Sequence, residues 1–292
     1  MKRLEKTHLI DTFGAGHPVA LTVDEGEVFV VETFNLLDDL EAFRKAMGEE
    51  KPKIMNVTGP IFVKGARAGN ALRVDILDLE ITGGHGGMAC LPGIGPFGDK
   101  IEQMQARHLK VDRHYVHFSD TLKIPINPML GKVGVAPSDH ASPSNLAGPH
   151  GGNMDNKQIA KGASVYLPVF VDGAYLGVGD AHALMGDGEC ISAVEAESEV
   201  TLRCGIVTDL RLTHPVVVTS TEVMTVAEGK TLEEASHTAI TDMARLITDK
   251  CGLSFIDAGF LISIIGDLRV CQIVNAVVSV RVAVPRSVLP LL

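Results

Sequence analysis

Tryptophan is missing from this 292-residue chain, tyrosine occurs three times, and aromatic residues together make up 4%. A nucleic-acid reader needs stacking platforms and a basic surface. The chain has no Lys/Arg run, and its formal charge is −10, so no nucleic-acid partner is expected. No segment approaches the ~20 continuous apolar residues of a membrane-spanning helix. Met1–Asp11 alternates charged and apolar residues without the apolar core of a secretory signal. No membrane partner is expected either. The five cysteines, Cys90, Cys190, Cys204, Cys251 and Cys271, are scattered and form no CxxC pair. An odd, dispersed set reads as reduced thiols of a cytoplasmic protein, most simply small core hydrophobes. No GxGxxG follows a strand and no P-loop occurs, which argues against a nucleotide-binding α/β enzyme. There is no GxSxG elbow or SxxK lysine, and Ser142, Ser144 and Ser164 have no nucleophile spacing. A metal-activated water is therefore the more economical agent for any hydrolysis here.

What is present suits a globular protein with a sizeable core: 46% apolar and 21% charged residues. Val19–Val23 and Val28–Thr33, around Asp24-Glu25-Gly26-Glu27, read as a hairpin. Asp38–Met47 reads as a helix capped by Asp38 or Asp39 and ended by Gly48. Asn56–Ile81 reads as another strand pair, with Leu72–Ile81 alternating apolar and polar. Thr82–Gly98 reads as a glycine-rich loop, Arg113–Leu122 as a strand, and Ile124–Ser144, with four prolines, as turns and short extended pieces. Ala163–Val171, Ser192–Arg203, Val216–Val226 and Ile273–Pro285 read as strands. Thr231–Lys250 is the best helix, opened by Thr231 and Glu234 as a capping box, and Ser254–Ile265 reads as a second, mostly buried one. The fold class expected is mainly β: a β-sandwich-like body over residues 1–215 carrying the site, with an α+β part over 216–292 packed on it. Pro60–Ala66 echoes Pro168–Ala174, either as a duplicated strand–turn–strand unit or as reused turn chemistry.

Chemistry concentrates between His140 and Glu195. Two clusters, Gly148-Pro149-His150-Gly151-Gly152-Asn153-Met154-Asp155 and Gly179-Asp180-Ala181-His182 through Gly186-Asp187-Gly188-Glu189, flank the Ala163–Val171 run. A strand with two polar edges can deliver both to one end of a sheet. Asp180 and His182, two residues apart, share a face in extended backbone and form a donor set for a divalent ion. The same pair also fits a turn in which Asp180 caps backbone N–H groups and His182 packs. His150 sits in a Pro/Gly loop with little packing reason to be there, and Asp155 is the nearest carboxylate. Asp187 and Glu189 are solvated turn residues or a general base; Glu195 faces either solvent or the site. His140 and His85 are weaker candidates of the same kind.

At these positions the sequence resembles the acetamidase/formamidase family. Gly148–Asp155 looks like its GPHGGNxD motif, and Tyr166–Val171 through Glu189 like its YLPV…GDxHAxxGDGE segment. Thr58–Val63 with Gly69–Leu72, and Pro92-Gly93-Ile94-Gly95, resemble its hairpin and PGFG loop. The resemblance implies a jelly-roll-type β-sandwich, homo-oligomeric assembly, and hydrolysis of formamide or acetamide to the acid and ammonia. It also implies a divalent metal, zinc ahead of calcium, with His150, Asp155, Asp180 and His182 as ligands. Glu195 or Glu189 would then be the catalytic base, and His85, His140 and Asn153 would contact substrate. Alternatives are a hydrolase of cyclic or substituted amides on the same site, or a silent binding protein. The sequence departs from the pattern at Asn70, Ala181 and Leu184-Met185, the last replacing a small residue and a Gln able to orient an amide.

Overall fold

The structure, a computed structural model, describes residues 1–39, 41, 43, 45 and 57–289. The expected helix over Asp38–Met47, with its Gly48 stop, lies largely outside the described residues. Among the described residues the architecture is mainly β, with two helices late in the chain. One sheet has nine strands, in the order Lys2–Leu4, Val28–Thr33, Ser198–Val207, Ala71–Ile81, Ser164–Pro168, Val216–Val218, Glu222–Gly229, Val278–Pro285 and Asp267–Gln272. It runs without a break across position 215. The second sheet has twelve strands. Its centre is Leu176–Leu184, held by Met129–Gly134 on one side and by Val57–Val63 and Val194–Glu195 on the other. Inward-facing Val74, Ile76, Val200 and Leu202 of the first sheet meet Ile61, Leu130, Val133 and Val178 of the second in one buried cluster. Each such side chain contributes roughly 1.5–3 kcal/mol through burial, which holds the layers together.

Strands were easier to anticipate than partners. Leu21–Val23 and Val28–Thr33 do not form a hairpin: the first lies parallel to Val57–Val63 in the twelve-stranded sheet, the second pairs in the nine-stranded one. The Asp24–Glu27 turn carries the chain between layers. Val57–Val63 and Ala71–Ile81 likewise go to different sheets. His85–Cys90, expected as loop, is a strand paired with Gln105–Val111. Only Tyr115–His117 of the expected Arg113–Leu122 strand is extended in a ladder. The proline-rich region conceals Met129–Gly134, all six residues buried.

The echoed segments meet. Val57–Val63 pairs with Leu176–Leu184, while Ala71–Ile81 pairs with Ser164–Pro168. Val63 donates to the Gly173 carbonyl, and Gly173 donates to that of Ala66. The two strand–turn–strand units thus exchange partners in a two-fold-like way, as a duplicated unit would.

Helix α1 (Leu232–Cys251) begins where Thr231 Oγ1 accepts from the Glu234 N–H, and ends at left-handed Gly252. Ala235, Ala239, Met243 and Ile247 bury one face against Val223, Val282 and Val284, whereas Leu232 is exposed. Helix α2 (Phe255–Ile265) is capped by Ser254 but is not mostly buried: Ala258 and Ile262 are buried, and Leu261 and Ile265 pack half-buried beside them. Ile256, Phe260 and Ile264, spaced by four, are 66%, 67% and 79% exposed.

Under α1, His214 Nδ1 lies 2.6 Å from Asp242 Oδ2, and Thr213 donates to Asp242 Oδ1. Burial works against the His214 imidazolium, but Asp242 and Glu228 outweigh it and hold its pKa above the ordinary 6.5. This stabilisation is complete below pH 6.5 and is lost as pH climbs through the raised value. Burial also pushes Asp242 up, yet His214 and Thr213 keep it below 3.8, so its share is present above 3.8 and lost in acid. His214→Asn should therefore lower Tm most near about pH 5–6 and progressively less toward about pH 9, read by thermal unfolding across that range.

Candidate active site

Four adjacent strands assemble the site. In register, Lys132 stands between Gly179 and Asn153, and His182 between Met129 and Glu195. Asp155 follows the short strand Gly151–Asn153 and donates its N–H to the Gly131 carbonyl at 3.1 Å. Asp155 and Asp180 both adopt left-handed backbone, φ 46° and 58°. For a side chain other than glycine this costs on the order of 1–3 kcal/mol, although Asp tolerates it better than most. The turn at Asp180 means that it and His182 converge across a kink rather than along plain extended chain. Gly131 makes the room: a Cβ there would lie 2.5 Å from Asp155 Oδ1, 2.7 Å from Asp180 Oδ2 and 3.0 Å from His182 Cε1.

One ligand-type atom from each of Asp155, Asp180 and His182 lies within 4.8 Å of the others, and all three residues are buried. Lys132 Nζ is 3.3 Å from Asp180 Oδ2. His182 Nε2 faces Asp180 Oδ2 at 3.6 Å and Glu195 Oε2 at 3.4 Å, too far for good hydrogen bonds. Asp155 Oδ1 and both His182 ring nitrogens are buried without a hydrogen-bond partner among the described residues. Two carboxylates and an imidazole with such atoms turned together fit a divalent cation.

The electrostatics follow from crowding four carboxylates around one lysine and one histidine. Burial, then Glu189 and Asp180, pushes the Asp155 carboxyl well above its usual range. Burial also pulls on Asp180, but Lys132 and His182 hold it below the usual range. Burial opposes charge on His182, yet Glu195 and Asp180 raise it well above 6.5. Glu195 is pushed up to about 7 by burial and Asp180, and burial raises Glu189 as well. Such a set can hold a cation and can accept and return a proton near neutrality.

The cluster opens on a cavity of about 350 Å³ that Lys132, Asn153, Asp155, Asp180, Glu189, Glu195 and Asn275 line together with apolar side chains. Glu189 Oε1 accepts from the Ala193 N–H at 2.9 Å. Its neighbour Asp187 is bound by both terminal nitrogens of fully buried Arg281, at 2.7 and 2.8 Å, which makes it an anchor of the loop.

The expected residues divide. Asp155, Asp180, His182, Glu189, Glu195 and Asn153 come together. His150 does not join the cluster: it is buried against Phe13 at 5.2 Å between ring centroids, not held in an open loop. Burial, then His140, pushes its pKa down to about 4. His85 is exposed and pairs with Asp38 at 2.9 Å, and His140 is exposed; neither lines the cavity. The Ala163–Val171 run does not deliver the clusters either, since Ser164–Pro168 lies in the other sheet. Lys132, Gly131 and Asn275 were missed. Lys132 had a signal: one lysine inside Met129–Val135, an otherwise apolar run, has to be paired if it is buried.

A buried carboxylate–imidazole–lysine cluster opening on a cavity holds the groups that metal-assisted or acid–base hydrolysis uses. The comparisons specify it. The model of the Acetamidase/Formamidase family matches residues 5–146 and 143–288. The crystal structure of a predicted acetamidase/formamidase from Thermoanaerobacter tengcongensis is 35% identical, with a TM-score of 0.93 over 99% of this chain and 97% of that one. An acetamidase from Bacillus halodurans is 33% identical, with a TM-score of 0.88 over 98% and 97% of the two chains. A formamidase of Methylophilus methylotrophus is 40% identical over 62 residues, 20% of this chain and only 15% of its own length. This chain belongs to the acetamidase/formamidase family.

Gly131→Ala should leave the sandwich folded, with Tm close to that of the parent. It should lower turnover on the order of 100-fold by displacing the three convergent side chains, measured as kcat beside a melting curve.

Proposed function

We propose that this protein hydrolyses short aliphatic amides, formamide or acetamide, to carboxylate and ammonia. The observation that carries the reading is the convergence of Asp155, Asp180, His182, Lys132 and Glu195 on one cavity. Family membership supports the reaction class. Asp155, Asp180 and His182 would hold a divalent ion, zinc ahead of calcium because an imidazole is in the set; when bound, it supplies a Lewis acid and a more acidic water. The role expected for His150 passes to second place, since it is absent from the convergent group.

The chain's own groups divide the remaining work. Glu195 Oε2 takes the proton of the attacking water and returns it to the amide nitrogen, since ammonia leaves only once that nitrogen is protonated. Its pKa near 7 suits both transfers. Lys132 Nζ, beside Asp180, donates toward the carbonyl oxygen as negative charge develops there. Asn153 and Asn275 line the same wall and orient the amide. Glu189, held by the Ala193 N–H, keeps that wall negative and takes up an amide N–H.

Ammonia release from formamide and acetamide, before and after chelation with metal content on the same sample, is the test. Release should fall with chelation and return with one divalent metal. Glu195→Gln should lower kcat by ~10²–10⁴ with metal still bound. Metal without release from any amide would sink the reaction assignment.

A cytoplasmic setting is part of the proposal and suits five free thiols. No helix among the described residues is long and apolar enough to cross a membrane. Homo-oligomeric assembly through α2 belongs to it too. Ile256, Phe260 and Ile264 form a charge-free stripe symmetric about Phe260, which a second copy can match across a two-fold axis. Phe260→Asp should reduce the particle mass measured by light scattering while leaving the melting temperature nearly unchanged.

A further inference from the structure

We infer that the cavity selects primary carboxamides with a neutral, apolar acyl group of about four to six carbons over formamide and acetamide. The inference rests on the amide-hydrolysis reading above and names the substrate class of that site. The first support is room. At ~30 Å³ for each water-sized group, acetamide takes roughly 100 Å³. The cavity measures about 350 Å³, within the range of roughly 300–1,000 Å³ that suits drug-sized ligands.

The second support is the chemistry of the wall. Beyond the acidic cluster and its polar neighbours Asn145, Asn153, Ser192 and Asn275, the lining is apolar, with Leu37, Phe43, Leu91, Ile94, Ile191 and Val274 prominent and no charged group among them. Leu37 and Ala89 pack together with Leu91 into one apolar cluster, so this is a continuous face rather than scattered contacts. Ile94, on the loop after His85–Cys90, is 42% exposed and stands at the rim. The loop is pinned at Gly95, where a Cβ would come 2.6 Å from the Cys190 carbonyl and 3.3 Å from Val274. Covering such a face with an apolar group removes it from water, and neither formamide nor acetamide is long enough to do so.

The acidic cluster decides which end of the amide carries that group. Glu189 and Glu195 present acceptors, which an unsubstituted –NH₂ satisfies with its two N–H donors. An N-alkyl group would set carbon against buried carboxylate and leave an acceptor unmet. A carboxylate-bearing substituent would meet like charge. The apolar group therefore sits on the acyl side, and the balanced reaction is R–CO–NH₂ plus water giving R–COO⁻ and NH₄⁺.

The test measures kcat/KM for ammonia release from formamide, acetamide, butyramide and hexanamide, and for amine release from N-butylacetamide, with the full-length protein in its metal-bound form. The expected result is a rise of roughly fourfold per methylene from acetamide to hexanamide, with N-butylacetamide the poorest substrate. Ile94→Asp should lower the hexanamide-to-acetamide ratio about tenfold. A flat or falling series on an enzyme that does hydrolyse formamide and acetamide would overturn this selectivity and leave the reaction standing. An unchanged ratio in Ile94→Asp, or N-butylacetamide surpassing hexanamide, would overturn it as well. Release from no amide of any length would overturn the reaction and this inference together.

Discussion

The seam between Met129–Gly134 and Leu176–Leu184 is the constraint from which the site follows. Five register pairs lock the two strands, and the position that carries no side chain, Gly131, falls where Asp155, Asp180 and His182 converge. Slipping that register by one residue would turn each side chain to the opposite face and bring Leu130 or Lys132 where space is needed. Left-handed backbone at two aspartates is tolerated because flanking strands over-determine it. Four carboxylates are tolerated because Lys132 and His182 share the same pocket, and because raised pKa values let some of them carry a proton.

The two echoed units explain how this seam came to stand between two layers. Each unit sends its strands into different sheets, and the first strand of each unit pairs with the second strand of the other. The sandwich is closed by that exchange, so the site strand Leu176–Leu184 is anchored in the middle of a sheet with neighbours on both sides. The late strands add a second support. The Cys271 carbonyl accepts from the Gly188 and Glu189 N–H groups, and Arg281 grips Asp187. Asp187 and Glu189, two residues apart in one turn, thus do different work: one fixes the loop and the other faces the cavity.

Residue types with a purely local signature were legible from the sequence. The α1 helix follows from Thr231, Glu234 and Gly252, whose capping chemistry acts within a few residues. Asp155, Asp180 and His182 were legible through the matched family motifs, since their local spacing alone also allowed a capping turn at Asp180. Leu72–Ile81 showed its alternation, and Val278–Pro285 its β-branched run. The motif that named His150 was equally visible, but its ring packs on Phe13 and lies outside the group of Asp155, Asp180 and His182. Glu195, whose alternation allowed a solvent-facing reading, lines the cavity because the bulged pairing with Leu176–Leu184 sets it opposite His182.

By itself the sequence determined the class of the fold, because that rests on composition and periodicity along the chain; the family and the candidate groups at the centre were legible through matched motifs. Partners were decided only in three dimensions. The hairpins expected at residues 19–33 and 57–81 open into separate sheets, because burying the inner faces of both layers outweighs pairing with the nearest neighbour in sequence. Lys132 became a site residue for the same reason, since it entered a wholly buried strand only beside Asp180. The exposed face of α2 and the apolar wall around Ile94 are likewise tertiary outcomes. A hydrophobic residue in a sequence does not say whether its contact will be core, ligand or a second molecule, because burial is a property of the packed surface and not of the residue.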